Sequence, residues 1–356
     1  MRKKFLTGIL AGLMAFGTFG NFEVEAATRA EISAVQVKKS GNFKYWNKDA
    51  AAVTALKDYM KDITDKKSKN FIPVEDRIAV FDMDGTFLCE TAPYYFDHMI
   101  FLHRALYDET YTASSDDREF AADLENWLRN KGSNENLGSS APHQASIYEG
   151  MTNAQFKSYV QDFMNKTPVE GLTNLKWGEA FYLPMVEVIK YLRANDFTVY
   201  VVSGTDREMV RVLLEDILPI SPNNIIGSDI KIIANNQGDK DGLNYTFNKN
   251  DYLVRGEFTQ KDLQMNKVAN IAQEIGKQPV LAFGNSSGDT SMINYTITDN
   301  KYKSLGFFVL CDDLERELGN TSKAAKCDKL AKDNGWISIS MKDDWKTIYG
   351  ENVRRN

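Results

Sequence analysis

Four stretches of apolar, strand-forming residues recur along the chain, and each ends on polar residues. They run from 78 to 81, 197 to 202, 279 to 283 and 305 to 310. Continuous apolar runs of this length are typical of strands buried on both faces of a parallel sheet. Because helical patterns separate the later runs, the sequence predicts an α/β fold of three layers, with a mainly parallel sheet between helices.

The segment from 27 to 72 is predicted to be a helical lead-in to the first strand. Five of its apolar residues recur at the spacing of one helix face: Val53, Leu56, Tyr59, Met60 and Ile63. This spacing indicates an amphipathic helix that packs on the core.

About a hundred residues separate the first strand from the second, which is too long for an unstructured connection within a domain. Apolar residues at helical spacing begin at Phe96, Phe120 and Phe156, and the Gly/Ser/Asn-rich stretch from 131 to 140 is typical of a loop. We therefore predict an inserted α-helical cap domain at 91–176. Residues 73–90 and 177–356 would form the core domain.

The first 26 residues have the pattern of a secretory signal peptide. Basic residues at 2 to 4 precede an apolar run from 5 to 19, and small residues follow up to Ala26. We expect cleavage after Ala26 and an exported protein that is secreted, periplasmic or held in the cell envelope. An uncleaved anchor is the alternative, but no stable membrane span is expected after cleavage.

Composition narrows the class of function. The 356 residues are 43% hydrophobic, enough for a large core, and the net charge is −6 with a pI near 5.4. No basic surface is indicated, so a nucleic-acid partner is not expected and a small-molecule substrate is favoured. The three cysteines allow either one disulfide between Cys311 and Cys327, with Cys89 left over, or three buried thiols.

The first strand ends in Asp82-Met83-Asp84-Gly85-Thr86. Residues two apart on a strand point to the same side, and two carboxylates that close repel each other unless a cation lies between them. A hard divalent ion with oxygen ligands, Mg²⁺ above all, suits such a pair. The alternative is an ordinary solvated turn after a core strand.

The later strand ends add three further groups of polar residues. Ser203-Gly204-Thr205 follows the second strand, and a helix start there could hold phosphate oxygens, although simple N-capping is the alternative. Gly284-Asn285-Ser286 and Asp289 follow the third strand. Lys267 lies at the start of the preceding helix, where a cation opposes the helix dipole and calls for an anionic neighbour.

These four groups, in this order, resemble the motifs of the haloacid dehalogenase (HAD) superfamily of phosphohydrolases. The resemblance implies that Asp82 is the nucleophile and Asp84 the general acid/base, and that Ser203, Gly204 and a lysine bind phosphate. The lysine would be Lys267, with Lys261 as the rival.

The resemblance also implies a Mg²⁺ cofactor. Its ligands would come from Asp82, Asp84 through its carbonyl, Asp289 and Asn285. Many HAD members have Asp at the position of Asn285. Asn285 would therefore either bind the metal through its side-chain carbonyl oxygen or donate a hydrogen bond to a group that binds it.

Within the superfamily, Asp84 favours a phosphatase, because haloacid dehalogenases lack the second Asp. A cap between the first and second motifs is the arrangement of C1-capped members. The ending Asp312-Asp313-x-x-Arg316-Glu317 looks like that of HAD hydrolases related to phosphoserine phosphatases.

Three residues are predicted to select the substrate. Glu90 lies near the position of a phosphoserine phosphatase glutamate that holds the substrate ammonium. Arg104 is a clamp for phosphate or carboxylate, or else a surface residue. Tyr94 belongs to a group of aromatics that could form a cation–π wall for a quaternary ammonium or simply the core of the cap: Tyr94, Tyr95, Phe96, Trp177, Phe181 and Tyr182.

The sequence thus predicts an exported, Mg²⁺-dependent phosphomonoesterase acting on a small organic phosphate through an aspartyl-phosphate at Asp82. A phosphomutase and a non-catalytic binding protein on the same scaffold are the alternatives. The sequence gives no indication of the oligomeric state.

Overall fold

The computed structural model of the chain describes residues 26–90, 94–130 and 137–356. The predicted signal peptide lies outside these ranges except for Ala26. Residues 91–93, at the predicted start of the cap, and most of the predicted loop 131–140 also lie outside them. Among the described helices, none has the length and apolar character required to span a bilayer.

A seven-stranded sheet forms the centre of the molecule. Its strands are β1 Ile78–Phe81, β2 Thr198–Asp206, β3 Ile225–Ala234, β4 Leu253–Gln260, β5 Leu281–Gly284, β6 Leu305–Leu310 and β7 Ile337–Ser340. Their order is β4-β3-β2-β1-β5-β6-β7, and every neighbouring pair is parallel except β3 with β4. The first strand in sequence is therefore central, and the chain winds outward from it in both directions.

Eleven α-helices accompany the sheet in the described ranges. They are α1 Arg29–Ala34, α2 Ala51–Thr64, α3 Phe96–Leu102, α4 Ser115–Asn130, α5 Ser140–Ser146, α6 Asn153–Lys166, α7 Leu183–Ala194, α8 Arg207–Leu214, α9 Met265–Asn270, α10 Thr290–Ile297 and α11 Thr321–Asp333. Short π-helical turns, His103–Tyr107 and Ile271–Ile275, continue α3 and α9. The four helices α3 to α6 all lie between β1 and β2 and are called the insertion helices below.

Apolar residues fill both faces of the sheet. Ala79 and Phe81 of β1 belong to one core cluster together with residues of α2, α7 and the insertion helices. Val80, between them, points the other way into a second cluster with residues of α10 and α11. Burial on both faces explains why the strands are apolar throughout, and the predicted three-layer α/β fold is confirmed.

Helix α1 and the edge strands β4 and β7 are among the elements that the sequence did not predict. Helix α1 begins with a capping box, in which the side chains of Thr28 and Glu31 each accept a hydrogen bond from the backbone of the other. Strands β4 and β7 lie at the two edges of the sheet. Edge strands carry polar residues because one side faces solvent, so the apolar-run criterion did not detect them.

The disulfide alternative does not match the structure. Cys311 and Cys327 are free thiols, and each contacts a backbone carbonyl instead. The sulfur of Cys311 lies 3.7 Å from the carbonyl oxygen of Asn320, and that of Cys327 lies 3.7 Å from that of Asn285. Burial raises the pKa of Cys327 to about 11.

Glu317 is a buried carboxyl outside the four motif groups. Its carboxylate accepts hydrogen bonds from the Leu318 N–H at 2.7 Å and from the Tyr349 hydroxyl. Only 1% of the residue is exposed, and burial raises the pKa of its carboxyl to about 7 despite these bonds. The folded state therefore favours the protonated form.

We expect stability to fall as the pH rises from 4.5 to 7, because the unfolded chain ionises Glu317 before the folded chain does. A pKa raised from 4.5 to about 7 corresponds to roughly 3 kcal/mol. Glu317→Gln should reduce the dependence of the unfolding temperature on pH between 4.5 and 7. At pH 8 this variant should unfold at a higher temperature than the parent. Thermal unfolding across this pH range tests it, with the exposed Glu315→Gln as control. An unchanged slope in Glu317→Gln would contradict the assignment.

Candidate active site

The polar strand ends meet at one edge of the sheet. β1 lies between β2 and β5, and in parallel sheets ligands bind beyond the carboxyl ends where the strand order reverses. A cavity of about 820 Å³ lies there, within the usual size range of small-molecule sites. Asp82, Asp84, Gly204, Asn285 and Asp289 all line it.

Asp82 is held from two sides. The ammonium of Lys267 donates to its Oδ1 at 2.6 Å, and the Thr86 hydroxyl donates to its Oδ2 at 3.2 Å. Burial and the charge of Asp289 raise the pKa of Asp82, and Lys267 opposes this rise. The lysine therefore favours the ionised carboxylate, the form that could attack an electrophile.

Lys267 is the third residue of α9 and is fully buried. It also donates to Asp289 Oδ1 and to the Val202 carbonyl oxygen, each at 2.7 Å. Burial lowers the pKa of the lysine, but the charges of Asp289 and Asp82 outweigh that effect and raise it. Of the two candidate lysines, Lys267 contacts Asp82, whereas Lys261 lies 3.7 Å from Asp97.

Asp84 has a different environment from Asp82, although both are buried. Its Oδ2 accepts a hydrogen bond from the Thr205 hydroxyl at 2.7 Å, and its Oδ1 has no partner in the described part of the chain. Burial, Asp97 and Asp82 raise the pKa of Asp84 well above its usual value. These surroundings favour the protonated carboxyl, the form that could give a proton to a leaving group.

The Ser203-Gly204-Thr205 segment is arranged differently from the prediction. Ser203 is fully buried, and its hydroxyl accepts the Thr205 N–H at 3.1 Å rather than facing the cavity. Gly204 and Thr205 line the cavity instead. The Ser203 side chain is therefore not placed to contact a phosphate in the cavity, as had been expected. Thr205, which was not predicted as a site residue, donates a hydrogen bond to Asp84.

The loop after β5 is organised by Asp289. Its Oδ2 accepts the backbone N–H groups of Asn285 at 3.1 Å and Ser286 at 3.0 Å, and its Oδ1 faces Lys267. The Asn285 amide nitrogen donates to Glu90. This bond orients the amide and leaves the side-chain carbonyl oxygen as its atom for coordination.

Glu90 is bound by protein donors. Lys323 and Asn285 donate to it, and so does the Tyr95 hydroxyl at 3.0 Å. With 4% of the residue exposed, the carboxylate already has its cation in Lys323, so the expected role in holding a substrate ammonium does not fit. Lys323 lies on α11, more than two hundred residues away in sequence, and no local pattern could connect the two.

Tyr94 and Arg104 lie away from the cavity. The Tyr94 hydroxyl donates to the Leu128 carbonyl at 3.3 Å. Arg104 is buried, donates to the Ile147 carbonyl at 2.8 Å and stacks on Tyr111 at 4.0 Å. Both hold the insertion helices together, so neither the clamp nor the surface role predicted for Arg104 matches the structure.

The proposed aromatic wall is core for the most part. Most of its members are at most 1% exposed, namely Phe96, Trp177, Phe181 and Tyr182. Tyr95 is the member that lines the cavity. The simpler of the two predictions, that these aromatics pack the interior, is the one that the structure matches.

Gly85 makes the close approach between Asn285 and Glu90 possible. Its φ is +76°, and a Cβ at this position would lie 2.0 Å from Asn285 Nδ2 and 2.1 Å from Glu90 Oε2. A positive φ alone costs a non-glycine residue about 1–2 kcal/mol. A side chain at this position would also push the loop after β1 away from Asn285 in the loop after β5.

Gly85→Ala should therefore lower kcat/KM of the enzyme proposed below by about 10²-fold, since a displacement of about 1 Å near a reacting centre has that effect. Gly335→Ala is the matched control, because its φ is +72° and nothing lies within 4 Å of the added carbon. Steady-state kinetics of both variants would separate displacement from backbone strain. Equal losses in the two would show that strain alone is responsible.

A Mg²⁺ ion fits the donors at this site. The described residues contain no group of three or more His, Cys, Asp or Glu side chains arranged to hold a metal. Mg²⁺, however, usually takes one or two carboxylates and keeps several waters. Asp82 and Asp289 supply two carboxylates, both of which line the cavity together with Asn285.

Comparisons with known proteins agree with this arrangement. The model of the haloacid dehalogenase-like hydrolase family matches residues 79–294, more than half of the chain. The match extends from β1 to α10 and so contains Asp82, Asp84, Lys267 and Asp289. A search of curated proteins gave no match.

Several solved structures are similar at low sequence identity. A conserved functionally unknown protein from Anaerococcus prevotii has a TM-score of 0.52 and 12% identity, over 88% of this chain and 98% of that one. Cytosolic 5′-nucleotidase IIIB bound to cytidine has a TM-score of 0.47 and 10% identity, over 83% of this chain and 88% of that one. A phosphoserine phosphohydrolase-like protein from Francisella tularensis has a TM-score of 0.36 and 16% identity, over 70% of this chain and 98% of that one.

At these identities the structural matches concern the fold alone. The family match is the stronger result, because it covers the acidic pair, the buried lysine and the loop that Asp289 organises. On this ground the chain belongs to the haloacid dehalogenase-like hydrolase family.

Proposed function

We propose that this protein is an exported, Mg²⁺-dependent phosphomonoesterase that hydrolyses a small organic phosphate. Asp82 is the nucleophile, which becomes an aspartyl-phosphate, and Asp84 is the general acid/base. The basic residues at 2 to 4 and the apolar run from 5 to 19 support the export part of the proposal.

One observation carries the proposal: of two buried carboxyl groups at the end of β1, one contacts a cation and the other does not. Asp82 accepts a hydrogen bond from the ammonium of Lys267 at 2.6 Å, whereas Asp84 accepts one from the Thr205 hydroxyl and lies near other carboxylates. Burial raises the pKa of both acids, but Lys267 opposes the rise at Asp82, so Asp82 is the acid that ionises more readily. Nucleophilic attack by one acid and proton donation by the other require this division.

The chemistry then proceeds in two displacements. In the first, an oxygen of Asp82 bonds to phosphorus, the ester P–O bond breaks, and the leaving oxygen takes the proton of Asp84. In the second, Asp84 removes a proton from water, the water oxygen bonds to phosphorus, and the bond between phosphorus and Asp82 breaks. Inorganic phosphate is released, and Asp84 is again protonated.

Asp82, Asp289, the Asp84 carbonyl and Asn285 are the residues that would hold the Mg²⁺ ion. When bound, the ion neutralises part of the charge on the phosphoryl oxygens. Lys267, which contacts both Asp82 and Asp289, would contribute to the same neutralisation. The backbone N–H of Gly204, which lines the cavity at the end of β2, would be a donor for a remaining phosphate oxygen.

The insertion at 91–176 is proposed to act as the cap. Tyr95, Asp97, His98 and Ser140 from this segment line the cavity opposite the strand ends. These residues would contact the organic part of the substrate and limit the access of bulk water. The cavity has room for a small phosphate ester.

The test is hydrolysis of a panel of phosphomonoesters by the purified protein, with Mg²⁺ and with EDTA. The panel includes phosphoserine, phosphocholine, phosphoethanolamine, sugar phosphates and p-nitrophenyl phosphate. We expect metal-dependent release of inorganic phosphate, and the best substrate would identify the group that the insertion recognises.

No phosphate release from any ester, in a protein shown to be folded and to bind Mg²⁺, would overturn the proposal. Transfer of the phosphoryl group within a sugar phosphate, detected by product analysis, would instead indicate a mutase. Phosphate release that EDTA does not change would remove Mg²⁺ from the mechanism while leaving the nucleophile in place.

A further inference from the structure

A second, much smaller cavity lies between the insertion and the antiparallel edge of the sheet. Its volume is about 30 Å³, enough for about two water molecules or one small ion. Gln144 and Tyr148 line it from the insertion, and Arg255 of β4 lines it from the sheet. It adjoins the catalytic cavity, because Asp97 and Lys261 line both.

The walls of this second cavity carry polar atoms without partners. In the described part of the chain, the unpartnered buried atoms include Nε and Nη1 of Arg255, the hydroxyl of Tyr148 and Nε2 of Gln144. Arg255 and Tyr148 are each only 1% exposed. A buried donor without an acceptor is unfavourable, so four such atoms on the residues of one cavity call for an occupant that receives their hydrogen bonds.

Arg255 is fixed in place by the rest of its contacts. Its Nη2 donates to Asp206 Oδ2 at 2.5 Å, and its guanidinium lies 3.7 Å from the ring centre of Phe156 on α6. Its backbone exchanges hydrogen bonds with the insertion, to Gly150 at 2.8 Å and Met151 at 2.9 Å. The two open nitrogens therefore cannot turn to another protein acceptor without breaking these contacts.

The carboxylates on the same walls are already matched by positive groups. Asp206 pairs with Arg255, and its Oδ1 accepts two N–H groups at the start of α8. Asp229 pairs with Arg207 at 2.8 Å, and Asp97 lies 3.7 Å from Lys261. The atoms without partners are the Arg255 and Gln144 nitrogens, which are donors, and the Tyr148 hydroxyl, which can act as a donor. An occupant that only accepts hydrogen bonds satisfies all of them.

We propose that this cavity binds a small monovalent anion, a halide or a one-carbon carboxylate. The anion joins Gln144 and Tyr148 of the insertion to Arg255 of the sheet, and so fixes the insertion against the core beside the catalytic cavity. Water is the competing occupant, but each water must also donate two hydrogen bonds. The inference stands independently of the proposed phosphatase activity.

Thermal unfolding of the full chain tests the proposal at matched ionic strength in chloride, bromide and gluconate. Gluconate is too large for the cavity. We expect the halides to raise Tm by about 1–3 °C over gluconate at salt concentrations well above the Kd, because the unfolding entropy of a chain this long keeps the shift small. Equal Tm values in the three salts would overturn the proposal.

Tyr148→Phe is the variant that tests the location, because it removes one donor and keeps the ring. Tyr159→Phe is the matched control, since it removes a hydroxyl from a neighbouring tyrosine that does not line the cavity. The halide-dependent rise in Tm should be at least halved in Tyr148→Phe and unchanged in Tyr159→Phe. A full rise in Tyr148→Phe would place the ion elsewhere and refute this site.

Crystals grown in bromide provide a direct readout that does not depend on any variant. An anomalous scattering peak within hydrogen-bonding distance of Arg255 Nε or Nη1 is the expected result. Ordered water alone in the cavity, in crystals that hold bromide in the solvent, would refute the proposal.

Discussion

Replacing Asp82 by Asn is expected to lower turnover by about 10⁴-fold or more, the loss typical of removing a nucleophile. The amide cannot form the acyl-phosphate, although it keeps the size and position of the carboxylate. Because burial disfavours the charged form of Asp82, and because Lys267 keeps its bond to Asp289, the variant should remain folded. Phosphate release and circular dichroism would measure the two effects separately.

Asp84→Asn is the comparison that distinguishes the nucleophile from the acid. With p-nitrophenyl phosphate the leaving group needs little protonation, so this variant should still release one equivalent of nitrophenol per site in a rapid first phase. Its slow step would be hydrolysis of the aspartyl-phosphate, where the base is missing. Asp82→Asn should show no such phase, and turnover within about tenfold of the parent would exclude Asp82 as the nucleophile.

The parts of the site that could be predicted are those on the strands. The carboxyl ends of neighbouring parallel strands share one edge, so apolar runs ending in Asp82 and in the loop before Asp289 had to converge. Lys267 was predicted because a cation at a helix start needs an anion, and the structure supplies Asp82 and Asp289. For these residues the local pattern and the sheet geometry predicted proximity, and the resemblance to the HAD motifs supplied the roles.

Side-chain partners from distant segments could not be predicted in the same way. Glu90 was expected, from the resemblance to phosphoserine phosphatases, to hold a substrate ammonium. Its cation in the structure is Lys323, which comes from α11 at the far end of the chain. Ser203 and Thr205 are chemically alike and two residues apart. They lie where the pairing of β2 with β3 is irregular, between Val202 and Asp206, and it is the Thr205 hydroxyl that reaches Asp84. Sequence spacing does not contain that information.

The insertion was predicted as helical. The structure matches the core alternative for Tyr94 but neither of the two roles predicted for Arg104. Arg104 and Tyr94 suggested recognition of a charged substrate because their residue types often bind ligands. Arg104 instead satisfies the Ile147 carbonyl and lies against Tyr111, inside the helices. A long polar side chain can have its stem and its head buried when carbonyl oxygens and ring faces are available, and helical periodicity does not show where these are.

Lys267→Met is expected to have the largest effect on stability. It removes the cation from between Asp82 and Asp289 and leaves two buried carboxylates without a charge partner. Breaking a buried ion pair on one side typically costs about 3–5 kcal/mol. The loss should be greatest at high pH, because the two acids can escape the cost by binding protons as the pH falls. Chemical unfolding at pH 5 and pH 8 would measure this difference.

A second set of changes separates folding from catalysis at the same lysine. Adding Asp82→Asn and Asp289→Asn to Lys267→Met removes the unpaired charges, so the triple variant should regain most of the lost stability and its dependence on pH should disappear. It should remain inactive, because the nucleophile and the charge that neutralises the phosphoryl group are both absent. Lys261→Met is the control, since the ammonium of that lysine lies 3.7 Å from Asp97, too far for a hydrogen bond, and its side chain is partly exposed. A triple variant no more stable than Lys267→Met would mean that the lysine acts through packing rather than charge.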